Sequence, residues 1–338
     1  MRIAAEAFHP CGALLLAKDD HDAERLTRIA APDHWSSVRR AFVESAEASA
    51  KAGRPLHRPA LWLPDAGVVR PPRLIARLLE GVEVRLSAAA ATLKRTAAGW
   101  RALDESGAEL AAADLVVVAA GPQSARFAQL SHLPLQGSLG QISTAPSRGG
   151  LADLQCVLAG GPYVTPSVDG THIFGASYEP WPVESEWGAP TAARRSSNVE
   201  RLKHWVPGID GSVCSDDAET LDRVALRCTT PDRSPLAGPA PDATYYADAF
   251  DGLRKGRRQN YPYAKYHDGL FVIAGLGSRG FLTAPLAAML VAAQAAGAPL
   301  PTAADIAEAT HPGRFLIRAL KRGAAPAKAL SSPHRGDR

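Results

Sequence analysis

Apolar residues fall along this chain in short runs whose period changes repeatedly, with no internal repeat. Residues 12–17, GALLLA, form a continuous apolar run that predicts a strand. Asp19 or Asp20 is placed to cap the helical pattern that continues through Ile29. Residues 36–51 carry a second helical pattern, and Leu61-Trp62-Leu63 follows a proline-rich connection. Pro71-Pro72 opens a short helix over residues 73–80, where proline's missing N–H does no harm because first-turn amides have no intrahelical acceptor. VEVRL at residues 82–86 alternates and reads as a strand. Residues 90–118 alternate like a β-meander, with Gly99 and Ser106-Gly107 as turn signals. The meander ends in LVVVAAG, a valine-rich run that predicts a fully buried parallel strand.

Beyond it, residues 139–145, 155–159, 163–166 and 172–176 are short runs broken by Gly and Pro, the pattern of an antiparallel sheet. A helix over residues 191–205 interrupts them, and residues 221–228 supply another strand. LFVIAG, a long helix from Leu282 and a helical tail close the chain. The fold class is α/β plus antiparallel β, in two domains that each draw on non-contiguous segments.

Composition narrows the function classes. A chain of 338 residues, 46% of them hydrophobic, buries a sizeable core. Glu6 and His9 interrupt the start where a secretory segment needs an unbroken apolar run, so a cytoplasmic location is expected. The apolar stretch 284–296 is broken by Pro285 and Gln294, so no membrane partner is expected. Cys11, Cys156, Cys214 and Cys228 form no C-x-x-C pair and read as reduced core residues; no metal site is expected. Neither H-E-x-x-H nor G-x-S-x-G occurs, so zinc-peptidase and serine-hydrolase chemistry lack support. Net charge is +4, but Arg254, Lys255, Arg257 and Arg258 cluster, and Arg314, Arg318, Lys321, Arg322 and Lys328 stud the tail. Such runs can track a phosphate backbone, or simply form a solvated face.

The stretch GLGSRGFLTAP, from Gly275, contains G-x-G-x-x-G after the apolar LFVIA. An ADP-binding βαβ unit also needs a second strand ending in an acidic residue about 20 positions on. After Gln294 the chain reads AAGAPLPTAADIAEAT, which has no apolar β-run, and Asp305 sits in a helical pattern. The motif matches in letters and fails in context. A strand delivering glycines to a helix N-terminus still suits an anionic or electron-accepting group. Close strand–helix packing explains it equally.

Seven ordered segments carry a family resemblance: LWLPDAGVVRPPRLIARLL, ADLVVVAAGPQSARF, LPLQGSLGQIS, YVTPSVDGTHIFGASYE, RVALRCTTPDRSPLAGPAPD, GLFVIAGLGSRGFLTAPLAA and GRFLIRALKRG. They resemble the flavin-dependent C-terminal half of the MnmC tRNA wobble-uridine modification proteins, relatives of glycine oxidase and D-amino-acid oxidase. The resemblance implies a Rossmann-like, D-amino-acid-oxidase-type FAD domain (residues 61–130 and 236–338) interleaved with an antiparallel-sheet substrate domain (residues 1–60 and 131–235). It implies FAD as cofactor, held by Ala120, Gly121, Gly275, Gly277, Ser278, Arg279, Gly280, Phe281, Leu282 and Thr283. The glycine turn would face the isoalloxazine and stabilise negative charge there.

The implied substrate is a carboxymethylaminomethyl-uridine in tRNA, oxidised to release glyoxylate and leave aminomethyl-uridine. Arg227 is the implied carboxylate clamp; an ion pair with Asp222 or Asp232 is the structural alternative. Arg279 would contact flavin or substrate, or cap local carbonyls, and Tyr163 would wall the pocket or serve as core. In the family, an N-terminal fingerprint with an acidic ribose ligand precedes the segment matching Met1 onward, and MnmC adds a methyltransferase domain. This implies a truncated FAD site, with a non-catalytic RNA- or partner-binding remnant, or an oxidase of free glycine or sarcosine, as alternatives.

Overall fold

A computed structural model describes residues 5–31, 39–182, 185–186, 188–209, 213 and 221–323; Cys214 and Lys328 lie outside them. β1 (Phe8–His9) and β2 (Ala13–Leu16) lead into α1 (Asp20–Ala30). The Asp19 carboxylate caps α1 by accepting from the Asp22 amide at 2.8 Å. β3 (Ala41–Val43) precedes α2 (Ser45–Ala52), and β4 (Ala60–Leu63) pairs with β3, setting Phe42 opposite Leu61. The expected helix over 36–51 is therefore corrected: residues 41–43 are a strand, because pairing with β4 overrides the local helical spacing.

β5 (Val68–Val69) and α3 (Pro71–Leu78) follow, the helix opening on its two prolines. The strand expected at residues 82–86 does not form; Val82, Val84 and Leu86 are exposed and belong to no sheet. Alternation gives propensity, but a strand persists only where a neighbouring edge takes its amides. β6 (Thr92–Thr96), β7 (Gly99–Leu103) and β8 (Glu109–Ala113) form the antiparallel meander. β9 (Val116–Val118) and β10 (Gln136–Pro146) come next, then β11 (Val157–Ala159), β12 (Tyr163–Val164), β13 (Thr171–Gly175) and β14 (Glu179–Trp181). Thr191 caps α4 (Ala192–Trp205). The remainder is β15 (Arg223–Thr229), β16 (Leu236–Pro241), α5 (Ala243–Ala249), β17 (Tyr266–Ala274), α6 (Gly280–Ala295), α7 (Ala304–Thr310) and α8 (Arg314–Lys321).

The chain divides into two compact units, one of residues 1–84, 140–179 and 187–225, the other of residues 85–139, 180–186 and 226–338. In the first, the path β10-β13-β12-β11-β2-β4-β3 is antiparallel except where β11 runs parallel to β2. Leu14, Leu16, Leu158, Phe174 and Leu202 form its core. A buried ion pair crosses this unit: Asp222 accepts from the Arg195 guanidinium at 2.5 Å, Gln141 Nε2 at 2.8 Å and Ser143 Oγ at 3.1 Å. These bonds satisfy a carboxylate that would otherwise be costly to desolvate.

In the second unit, β16, β17 and β9 make a three-stranded sheet, with β17 antiparallel to β16 and parallel to β9. α6 covers one face, with Ala287, Leu290 and Val291 packed on Ala237 and Phe271. Leu270 and Val272 face the other way, into a core with Leu93 and Trp100 of the meander. β9 is parallel as expected but not fully buried. Among the described residues it pairs on one side only, and Val117 is 40% exposed.

Candidate functional site

The chemistry-bearing residues of the second unit gather where its two parallel strands end. Val118 lies opposite Val272, so β9 and β17 release their chains at the same edge of the sheet. The crevice outside the carboxyl ends of parallel strands is where open α/β sheets place ligands. From β9 the chain passes through exposed Ala119 and Ala120 to Gly121, which turns with φ 56°. From β17 it passes through Gly275 and Gly277, at φ 69° and 59°, into α6.

Gly275 answers to two constraints. Its backbone is left-handed, and a Cβ there would lie 2.6 Å from Thr230 Cγ2. The Thr230 rotamer is pinned, since its one hydroxyl hydrogen is shared between the Ser234 carbonyl at 2.7 Å and the Asp232 carboxylate at 3.0 Å. Asp232 is held in turn by Arg314, with Nε and Nη2 each at 3.0 Å, and by Arg318. Burial pushes the Asp232 carboxyl up, but hydrogen bonds from Arg314 and Arg318 overcome this and hold it well below the usual carboxylate range. Thus α8 fixes the end of β15, and that end shapes the glycine turn. Cys228 joins the same contact: burial pushes its thiol up, against a Gly275 backbone hydrogen bond that lowers it. It is a packed thiol, not a nucleophile.

The helix start has the electrostatics the glycine motif promised. α6 begins at Gly280 behind Arg279 with no side-chain cap, so its first-turn amides are not taken by a capping side chain. Ser278, Arg279, Phe281 and Leu282 are exposed, and Thr283 Oγ1 donates back to the Arg279 carbonyl at 3.2 Å. The Arg279 guanidinium bonds no carbonyl among the described residues, so the local capping alternative finds no support. After α6 the chain enters α7, which contains Asp305, and then α8; among the described residues no second parallel strand follows. The G-x-G-x-x-G therefore lies outside a βαβ unit.

Arg227 lies on β15, two residues before Thr229, whose Cγ2 would be 3.6 Å from a Cβ on Gly277. Both carboxylates considered as its ion-pair partners are engaged by other arginines, Asp222 by Arg195 and Asp232 by Arg314 and Arg318. Tyr163 belongs to the first unit, half-buried on β12 opposite Gly175 of β13. The second unit thus brings Gly121, residues 275–283 and the β15 strand of Arg227 together, while Tyr163 belongs to the other unit.

Sequence reasoning missed Thr230, Asp232 and Arg314 as supports of the turn. All three lie within the quoted family segments, but their pairing spans 82 residues and has no local signature. Among the described residues no group of His, Cys, Asp or Glu could hold a metal, and no helix is long and apolar enough to cross a membrane.

Comparison with known proteins fits this architecture. The DAO family model, described as FAD dependent oxidoreductase, matches residues 2–294. The chain is 38% identical over 322 residues to the tRNA 5-methylaminomethyl-2-thiouridine biosynthesis bifunctional protein MnmC of Stutzerimonas stutzeri, covering 94% of this chain and 48% of that one. It is 37% identical over 319 residues to the MnmC protein of Pseudomonas entomophila, again covering 48% of the relative. The chain spans about half the length of the curated relatives it matches. Glycine oxidase from Geobacillus kaustophilus shares the fold with a TM-score of 0.68 at 21% identity, over 89% of this chain and 75% of that one. Iminodiacetate oxidase from Chelativorans sp. BNC1 does so with a TM-score of 0.62 at 22% identity, over 88% and 74%.

Proposed function

This chain belongs to the DAO family of FAD-dependent oxidoreductases, and from that premise we propose that it oxidises the carboxymethylaminomethyl group of a wobble uridine in tRNA. The products are glyoxylate and an aminomethyl-uridine. The observation that carries this reading is the shared exit of β9 and β17 onto Gly121 and the Gly275–Gly280 turn, next to the end of the Arg227 strand. In this reading residues 61–130 and 236–338 serve the flavin, and residues 1–60 and 131–235 serve the substrate.

The residues fit the ring end of FAD. The uncapped start of α6 leaves backbone N–H groups and a positive dipole end for the negative charge of a reduced ring, with Gly275, Gly277, Ser278, Arg279, Gly280, Phe281, Leu282 and Thr283 around it, while exposed Ala120 and left-handed Gly121 at the end of β9 would serve the ADP side. Among the described residues no second strand with an acidic end follows α6 to take a ribose. Bound FAD would supply the two-electron acceptor.

The chain's own side chains supply the positioning. Arg227 grips the substrate carboxylate with two parallel N–H bonds, which fixes the adjacent methylene. Arg279 adds positive charge where the ring gains electrons, and Tyr163 provides an aromatic wall to the substrate. Loss of hydride from the methylene leaves a C=N bond; water adds to that carbon, and cleavage of C–N gives glyoxylate and the primary amine.

A direct test is FAD titration of the purified chain, followed by glyoxylate trapping with carboxymethylaminomethyl-bearing tRNA. Saturable yellow binding and glyoxylate release are expected, with Arg227→Lys lowering kcat/KM about 10- to 100-fold by removing the planar fork. A colourless protein without saturable FAD binding sinks the oxidase reading. Turnover of free glycine but not of tRNA would move the substrate to the amino-acid class.

A further inference from the structure

In the second unit the turn that carries one basic cluster packs against α8, the helix that carries Arg314, Arg318 and Lys321 of the other. The short 3-10 turn Asp251–Lys255 packs against α8, and it ends at Gly256 in the left-handed conformation at φ 62°. From there residues 257–265 (RRQNYPYAK) cross the surface to β17. Their backbone is pinned, not loose. Tyr261 Oη donates to the Arg257 carbonyl at 2.9 Å, and Tyr245 Oη donates to the Tyr263 carbonyl at 3.1 Å. Tyr261 and Ala264 pack on a core of Tyr246, Phe250, Leu316 and Leu320.

On this fixed base the side chains face water. Arg257, Arg258, Gln259, Asn260 and Lys265 are exposed, and Tyr263 is 96% exposed. Asp251 pairs with Arg254 and Lys255 at 3.5 and 3.4 Å. Arg257, Arg258, Lys321 and Arg322 pair with no acidic residue among the described residues. An aromatic ring standing in water on a rigid backbone, flanked by guanidinium groups, has the chemistry of a single-stranded nucleic-acid platform. Stacking on the ring is tolerant of base identity, and the arginines take the phosphates.

We propose that residues 257–265 form an RNA-contacting surface, with an unpaired base stacked on Tyr263, backbone phosphates held by Arg257 and Arg258, and Lys321 and Arg322 of the α8 end adding positive charge. This rests on the tRNA reading above and names the surface that engages the RNA away from the glycine turn.

Fluorescence anisotropy with labelled tRNA, run from 50 to about 300 mM KCl, tests it on the full chain. Tyr263→Ala should weaken binding about tenfold with an unchanged salt slope, and Tyr263→Phe should restore it. Arg257→Gln with Arg258→Gln should weaken binding and reduce the slope of log K against log salt by roughly 1.5. FAD affinity should be the same in every variant. If the wild type binds tRNA and all three variants bind it equally well, this surface is wrong while the tRNA reading stands. If the wild type binds no tRNA at any salt, both fall. Equal losses for Tyr263→Ala and Tyr263→Phe would remove the stacked base.

Discussion

Among single residues, glycines that look alike in sequence carry different burdens. Gly121 and Gly275 both turn with positive φ, yet a Cβ on Gly121 would meet nothing within 4 Å, whereas on Gly275 it would strike Thr230. Gly121→Ala should therefore cost only backbone strain, about 1 kcal/mol. Gly275→Ala adds a clash with a methyl that cannot rotate away without breaking the Thr230 bonds to Ser234 and Asp232. It should lower stability by about 2–4 kcal/mol and FAD affinity by more than tenfold. Urea melts and flavin titration of the two variants check this; equal losses would show that the Thr230 contact is immaterial. Similar reasoning separates the two acidic residues first considered for Arg227. Asp222 serves a buried bond to Arg195, and Asp232 serves α8.

Secondary-structure elements act here through their ends. α8 reaches the glycine turn through a relay, Arg314 to Asp232 to Thr230 to Gly275. Asp232→Asn keeps the size of the side chain and removes the charge that two arginines converge on. Because Asp232 is partly exposed, the expected loss is about 1–3 kcal/mol, below that of a fully buried pair. FAD binding should weaken several-fold as the β15 end loosens. A loss of stability with flavin affinity unchanged would confine the relay to folding. The local pattern had predicted the helices that carry strong caps or prolines, α1, α3 and α4 among them. It failed at β3 and at residues 82–86, where pairing partners decided the outcome.

Over the whole molecule, buried histidines set the response to acid. Burial pushes His132 down to about 4, with the nearby His267 adding to the effect, and burial with the Arg314 charge does the same to His311. His311 Nδ1 accepts from the Gly313 amide at 3.0 Å, a bond only the unprotonated nitrogen can make. Between about pH 6.5 and 4 the unfolded chain binds protons that these sites refuse, so stability is full above the upper limit and falls as pH is lowered. Denaturant titrations across that window should show the decline, on the order of several kcal/mol, and His132→Gln with His311→Gln should make it shallower. An unchanged slope in the double variant would assign acid sensitivity to other groups.

Much of this architecture lay in the linear pattern. Period and punctuation alone marked the meander, the short strands around residues 139–176, the parallel valine strand and the helix after the glycine turn, because alternation and capping are local physics. The sequence alone also read the stretch after Gln294 as lacking the second strand that an ADP fingerprint requires. Only the tertiary structure decided that β9 is an edge among the described strands, that Leu282 and Met289 of the largely apolar α6 stay exposed, and that Arg314 reaches Asp232 across 82 residues. It also packed the Asp251–Lys255 turn against α8 and left Tyr263 exposed. Burial and long-range pairing depend on which segments meet, and no local run of residues encodes that.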